Sequence, residues 1–201
     1  MISWDAPSIL RRLRSLALTA CLRPARPVLA IIVASLWLLV FATPAQSRIE
    51  SSAGLLAGDP SLESSIAIAI NEARAEVGLP PLALSSRLAR AAREHARSMG
   101  RLGYFSHSSA SGSNSVRRIS SFYPVQDRRR WAVGEVILWQ PGELAPDEAL
   151  RRWLASSSHR GTLLGDRWRD VGVGAVHVRS GPGVFRGLDV TILVVDVGVR
   201  R

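Results

Sequence analysis

The chain contains no lysine: all 26 of its basic side chains are arginine. A replacement this uniform is read as a genome-wide codon bias and carries no functional weight. There is one cysteine, Cys21, so a chain shortened past it would have none. A disulfide framework is thereby excluded, and an exported domain would have to stand on its hydrophobic core alone. Aromatic residues make up only 6% of the sequence, and no RRM-like, zinc-finger or basic-zipper pattern accompanies the arginines. No nucleic-acid partner is expected. The longest apolar run, Val28 to Ala42, has 15 residues, short of the roughly 20 that span a bilayer as a helix.

What that run does have is context. Arg11, Arg12, Arg14, Arg23 and Arg26 precede it, and Thr43-Pro44-Ala45 follows it with small residues. A positive flank, a short apolar core and a small-residue exit describe a secretory signal over residues 1–45. The alternative is an uncleaved N-terminal anchor that keeps the chain in contact with a membrane. Either way the expected location is outside the cytoplasm: secreted, periplasmic or in the cell envelope. Setting aside 1–45 leaves 21 Arg against 15 acids, a net charge of +6, which draws a protein toward anionic surfaces.

Residues 46–58 are rich in Ser, Ala and Gly and read as a linker to one domain over 59–199. Asp59 and Pro60 start a helix as N-cap and first helical residue. Ile66, Ile70, Ala73 and Val77 give it one apolar face, with Asn71, Arg74 and Glu76 opposite. Gly78 and Pro80-Pro81 end it. After an extended link through Leu84, Ser85 or Ser86 caps a second helix. Its inner face carries Leu88, Ala91, Ala92, His95 and Met99, and it closes at Gly103. His95 is expected to be a hydrogen-bonded core histidine. The loop Tyr104-Phe105-Ser106-His107 follows, and Val116 to Ser121 has room for one helical turn.

Asp127 to Arg130 reads as a solvated charged bend. Trp131 to Trp139 is strand-like, with Gly134 marking a bulge or a close approach. Pro146-Asp147-Glu148 opens a third helix, with Ala149, Leu150, Trp153 and Leu154 inward, and Gly161 to Leu164 suggests a further turn. Val171–Val178 and Val190–Val197 form a hairpin around a Gly-rich connection. Val190 to Val195 is apolar on both faces, as in a central strand covered on both sides. His177 reads as strand surface or packing. Helices first and hairpin last point to an α+β fold.

Taken in order, these pieces resemble the CAP superfamily of cysteine-rich secretory, antigen 5 and pathogenesis-related proteins, in its bacterial, disulfide-free branch. The resemblance rests on Asn71-Glu72-Ala73-Arg74, Leu88…Ala92…His95…Met99, Phe105-Ser106-His107, Gly134-Glu135, Trp153-x-x-Ser156-x-x-His159-Arg160 and Val171-Gly172-Val173-Gly174. It implies a three-layer α-β-α sandwich with a central, mainly antiparallel sheet. It also implies a cleft lined by two His and two Glu. Position by position, His107, Glu135 and His159 match three of the four, and Ser156 stands where many members have the second Glu.

Two imidazoles and a carboxylate suit zinc with one position left open, and water bound there can become a nucleophile. His107, Glu135 and His159 are thus the candidate metal ligands, and a divalent cation, zinc first, is the candidate cofactor. Three readings follow. The chain is an exported, monomeric module whose cleft binds a metal or a ligand, with a lipid, glycan or protein of the envelope or a host surface as partner. It is a metal-dependent, peptidase-like hydrolase using the same cleft. Or it is a structural or interaction domain without chemistry. A serine hydrolase is not among them, because neither Ser106 nor Ser158 lies in a nucleophile turn.

Overall fold

A computed structural model describes residues 56–125 and 131–200. The expected signal or anchor, the linker up to residue 55 and the charged bend at 127–130 lie outside the described residues. Among the described residues no helix is long and apolar enough to cross a membrane.

Local chemistry sets most of the elements. Helix α1, Pro60–Glu76, starts where Asp59 accepts a hydrogen bond from the Leu62 N–H and Pro60 supplies a first residue that needs no donor. Helix α2, Ser86–Leu102, is capped by Ser85 and stopped by Gly103 in the left-handed region at φ 70°. A side chain at Gly103 would also collide with Pro182. Helix α3 covers Ser115–Phe122 under an Asn114 cap, two turns rather than one. Helix α4 is Pro146–Ala155, and α5 runs from Ser157 to Leu163.

The sheet contains β1 (Leu56–Gly58), β2 (Ala83–Leu84), β3 (Trp131–Pro141), β4 (Asp170–Val178) and β5 (Val190–Arg200). Its order is β1-β4-β5-β3, antiparallel throughout, with β2 added in parallel beside the start of β4. β5 is central, as its two-sided apolar run requires. The period of two is clean. Leu193, Val195, Val173 and Ala175 pack with Leu62, Ile66, Ile70, Ala149 and Trp153 of α1 and α4. Val190, Ile192, Val194, Val176 and Val178 pack with Ala92, Ala96 and Met99 of α2. Helices on both faces of one antiparallel sheet make the α-β-α sandwich.

Three local expectations change, and the alternative left open at Gly134 is resolved. Residues 56–58, read as the end of the linker, pair with Val176–Val178, because β4 would otherwise expose its outer edge. Gly134 carries no bulge: β3 and β5 pair residue for residue from Trp131–Arg200 to Pro141–Val190. It is instead a close approach, where an added Cβ would lie 3.1 Å from Trp168 and 3.2 Å from Thr162. Val77 is exposed, just past the last buried turn of α1. Arg74, placed on the outer face, is fully buried. Its guanidinium donates to the carbonyls of Pro80, Leu163 and Gly165, which lets a charged group replace water at the end of α5.

Candidate functional site

The loop carrying His107 is held at both ends. The Val184 N–H donates to the Gly103 carbonyl at 2.9 Å, and His95 Nε2 lies 2.8 Å from the Ser106 carbonyl. That bond makes Nε2 the protonated nitrogen of His95. His95 is fully buried as expected, and burial together with the nearby Arg118 charge holds its pKa below the ordinary value. A core histidine therefore also fixes the backbone one residue before His107.

Fixed there, His107 reaches the sheet. Its Nδ1 lies 2.8 Å from Glu135 Oε1, while the ring stays 52% exposed. Glu135 sits on β3 with only 1% of its side chain exposed. Its other oxygen, Oε2, accepts from Arg118 of α3. Asp196 stands directly opposite Glu135 in the β3–β5 register and is wholly buried. Arg118 Nη1 is 4.0 Å from Asp196 Oδ2, too long for a hydrogen bond. Neither carboxyl oxygen of Asp196 has a partner among the described residues.

The charges sort themselves accordingly. Burial raises the pKa of Glu135, but the His107 hydrogen bond and the Arg118 charge outweigh it and leave the group below its usual value. Asp196 goes the other way, well above its usual value, through burial and then the neighbouring Glu135 charge. Two carboxyls this close cannot both ionise cheaply. The pair is thus biased so that Glu135 favours the carboxylate and Asp196 the neutral acid.

His159 lies on α5, on the opposite face of the sheet from α3. Partial burial and the charge of His107 hold its pKa down. The two imidazoles are electrostatic neighbours around the edge strand β3. So His107 and Glu135 are in direct contact, and His159 is close to His107 without a hydrogen bond to either.

This arrangement does not fit the metal set that the residue types suggested. Among the described residues no three His, Cys, Asp or Glu side chains form a group that could hold a metal ion. Glu135 stands behind His107, bonded to its Nδ1, and does not stand beside the histidines as a third ligand. Its second oxygen is taken by a guanidinium, whose charge opposes a cation. With Ser156 at the fourth position, two imidazoles remain, fewer than the three protein ligands of a catalytic zinc.

Two site residues escaped the sequence reading. Arg118 was one arginine among 26, in a segment too short to display a helical period. Asp196 ends an apolar run, and a single acid there is the one signal that could have singled it out. His177 was also underread. Its Nε2 is 2.9 Å from Asp59 Oδ2 and its Nδ1 2.9 Å from Thr191 Oγ1, so it ties the α1 cap to the central strand.

Comparison with known proteins agrees with the fold. The chain is 30% identical over 111 residues to the uncharacterized protein YkwD of Bacillus subtilis, a match covering 55% of this chain and 40% of that protein. It thus spans well under half the length of that relative. An outer surface protein of Borrelia burgdorferi superposes with a TM-score of 0.55 at 22% identity, over 71% of this chain and 96% of that one. An extracellular, SCP-domain protein of Bacillus anthracis gives 0.53 at 25% identity, over 70% of this chain and 40% of its own. The profile of the cysteine-rich secretory protein family, CAP, matches residues 68–196, and the chain belongs to that family.

Proposed function

We propose that this chain is a non-catalytic CAP module of the cell envelope or extracellular space. In this reading His107 and His159 bind a hydroxyl- or phosphate-bearing envelope component at the mouth of the cleft. The observation that carries the reading is the direction of His107. Its Nδ1 faces an ionised Glu135 at 2.8 Å, so this nitrogen donates and Nε2 is left to meet the ligand, accepting from a hydroxyl in one protonation state of the ring and donating to a phosphate oxygen in the other. The ring is half-exposed and Nε2 has no partner among the described residues. A recognition atom is thus oriented from behind by a buried carboxylate, which is itself pinned by Arg118. The extracellular and outer-surface descriptions of the structural relatives support the location.

The test uses residues 48–201, which contain the whole sheet and the hydrophobic core on both of its faces. Imidazole resonances of His107 and His159 are followed during titration with glycan fragments, glycerophosphate and zinc. Saturable shifts of both rings with a glycan or glycerophosphate, abolished by His107→Ala, are expected. Silence of both rings toward all of them would leave a structural domain. A one-to-one zinc isotherm lost in both His107→Ala and His159→Ala would restore the metal reading and make peptidase assays worthwhile.

A further inference from the structure

The end of the molecule beyond Gly103 combines features that the cleft does not use. The β4–β5 connection turns through a short 3-10 segment, Gly183–Phe185, and packs against the C-terminus of α2. Three large aliphatic side chains are exposed there: Leu102 at 55%, Val184 at 48% and Leu188 at 45%. Single exposed aliphatics are ordinary, but a group rimmed by charge of one sign marks an interaction surface. The rim is Arg101, Arg179 and Arg186, all exposed.

Two acids lie near the three arginines. Asp189 accepts a hydrogen bond from the Ser180 N–H, and Glu143 lies beyond the Pro141–Gly142 turn. The loop is ordered rather than loose. Gly181 donates to Leu188 O at 2.8 Å, Gly187 to Gly181 O at 2.7 Å and Val184 to Gly103 O at 2.9 Å. Arg186 is held in the left-handed region at φ 55°, a conformation that disfavours a non-glycine residue. Under the tip, Phe105, Trp139 and Phe185 stack edge to face at 6.5 and 5.1 Å.

We infer that this tip is a membrane-docking surface for anionic phospholipid. Val184, Leu188 and Leu102 enter the headgroup–acyl boundary while the three arginines engage phosphate. Exposed aliphatic side chains with three arginines around them suit a bilayer, whose interface takes apolar groups and anionic headgroups side by side. The inference is independent of what the cleft binds. His107 is four residues from Gly103, at most about 14 Å along the chain, so docking would bring the cleft to headgroup level.

The experiment is co-sedimentation of residues 48–201 with vesicles of phosphatidylcholine, with and without phosphatidylglycerol. Saturable binding to the phosphatidylglycerol vesicles alone is expected, weakening as salt rises. Each interfacial arginine contributes about a factor of five, so the neutralised variant R101Q/R179Q/R186Q should lower affinity on the order of 100-fold. V184S/L188S tests the apolar part and should weaken binding at least tenfold, with circular dichroism confirming the fold. R87E/R90E, a charge reversal of exposed arginines at the opposite end of α2, should bind vesicles like the native domain. No vesicle binding, or binding equal in native and tip variants, overturns the inference; the second result would reflect the general positive charge. Loss of vesicle binding in His107→Ala alone would place lipid in the cleft and overturn the tip.

Discussion

Glu135 and Asp196 face each other across adjacent antiparallel strands, two acids at one level of the sheet. Like charges directly opposite destabilise a sheet, and the molecule avoids that cost by keeping one proton on the pair. Arg118 neutralises the member nearer the surface. What reaches solvent from this buried group is one imidazole, His107.

Asp196→Asn tests the proton. Asparagine has the shape of the neutral acid and carries no charge at any pH. Because the folded pKa of Asp196 is raised, the native state binds a proton that the unfolded state releases above about pH 4. Stability from this group is complete below that pH and is lost as pH rises toward the folded pKa. The slope is at most about 1.4 kcal/mol per pH unit for one proton. Urea unfolding of both proteins from pH 4 to 8 should show Asp196→Asn gaining on the native domain as pH rises. A variant less stable at pH 7 would refute a neutral Asp196.

Arg118→Met leaves the Glu135 carboxylate buried without its cation. Breaking a buried pair by removing one partner costs about 3–5 kcal/mol. Adding Glu135→Gln removes the stranded charge, so the double variant should be more stable than Arg118→Met by about 1 kcal/mol or more. Chemical denaturation of the native, single and double variants measures the coupling. Additive effects would mean that Arg118 supports the fold by packing alone.

The sequence announced its helices because they carry local signals. Asp59-Pro60, Ser85 and Gly103 are capping chemistry confined to a few residues, and the apolar periods of α1 and α2 are long enough to read. Arg74 was misread because its partners, Leu163 and Gly165, are about 90 positions away. No periodicity reports a buried guanidinium that satisfies distant carbonyls. The same reason hid Arg118 and Asp196, whose meaning exists only once β3, β5 and α3 meet. The contact between His107 and Glu135 was legible as convergence on one cleft. That Glu135 stands behind His107, instead of beside it, depends on register and side-chain direction.

Asp59 supplies an acid limb of known direction. Its hydrogen bonds from Ser61 and the Leu62 N–H, and the contact with His177, lower its pKa to about 2. A depressed folded pKa contributes stability that is complete above the unfolded value and disappears as pH falls toward 2. The carboxylate is partly exposed, so the contribution is discounted to about 1–2 kcal/mol, cap included. Asp59→Ala should lose that amount at pH 6 and show a flatter loss of stability between pH 4 and 2. Asp59→Asn should recover the cap and remain flat. An unchanged acid limb in both variants would remove Asp59 from the account.

Gly172 and Gly174 give the sharpest steric prediction. Both sit on the β4 face that receives α2, where a Cβ at Gly172 would lie 2.0 Å from the Ala89 backbone nitrogen. At Gly174 it would lie 2.4 Å from that of Arg93. Helix backbone cannot yield as a side-chain tip can, so either glycine-to-alanine change must push α2 off the sheet. α2 carries His95, which fixes the loop of His107, so displacing it disturbs the site as well as the core. Gly172→Ala is expected to cost at least about 3 kcal/mol, at the upper end of overpacking penalties. Gly161, in α5, has nothing within 4 Å of its missing Cβ. There Gly161→Ala should be neutral or stabilising by about 0.5–1 kcal/mol through helix propensity. Thermal unfolding of the two variants should move in opposite directions. A Gly172→Ala protein that melts with the native domain would show that α2 does not rest on β4.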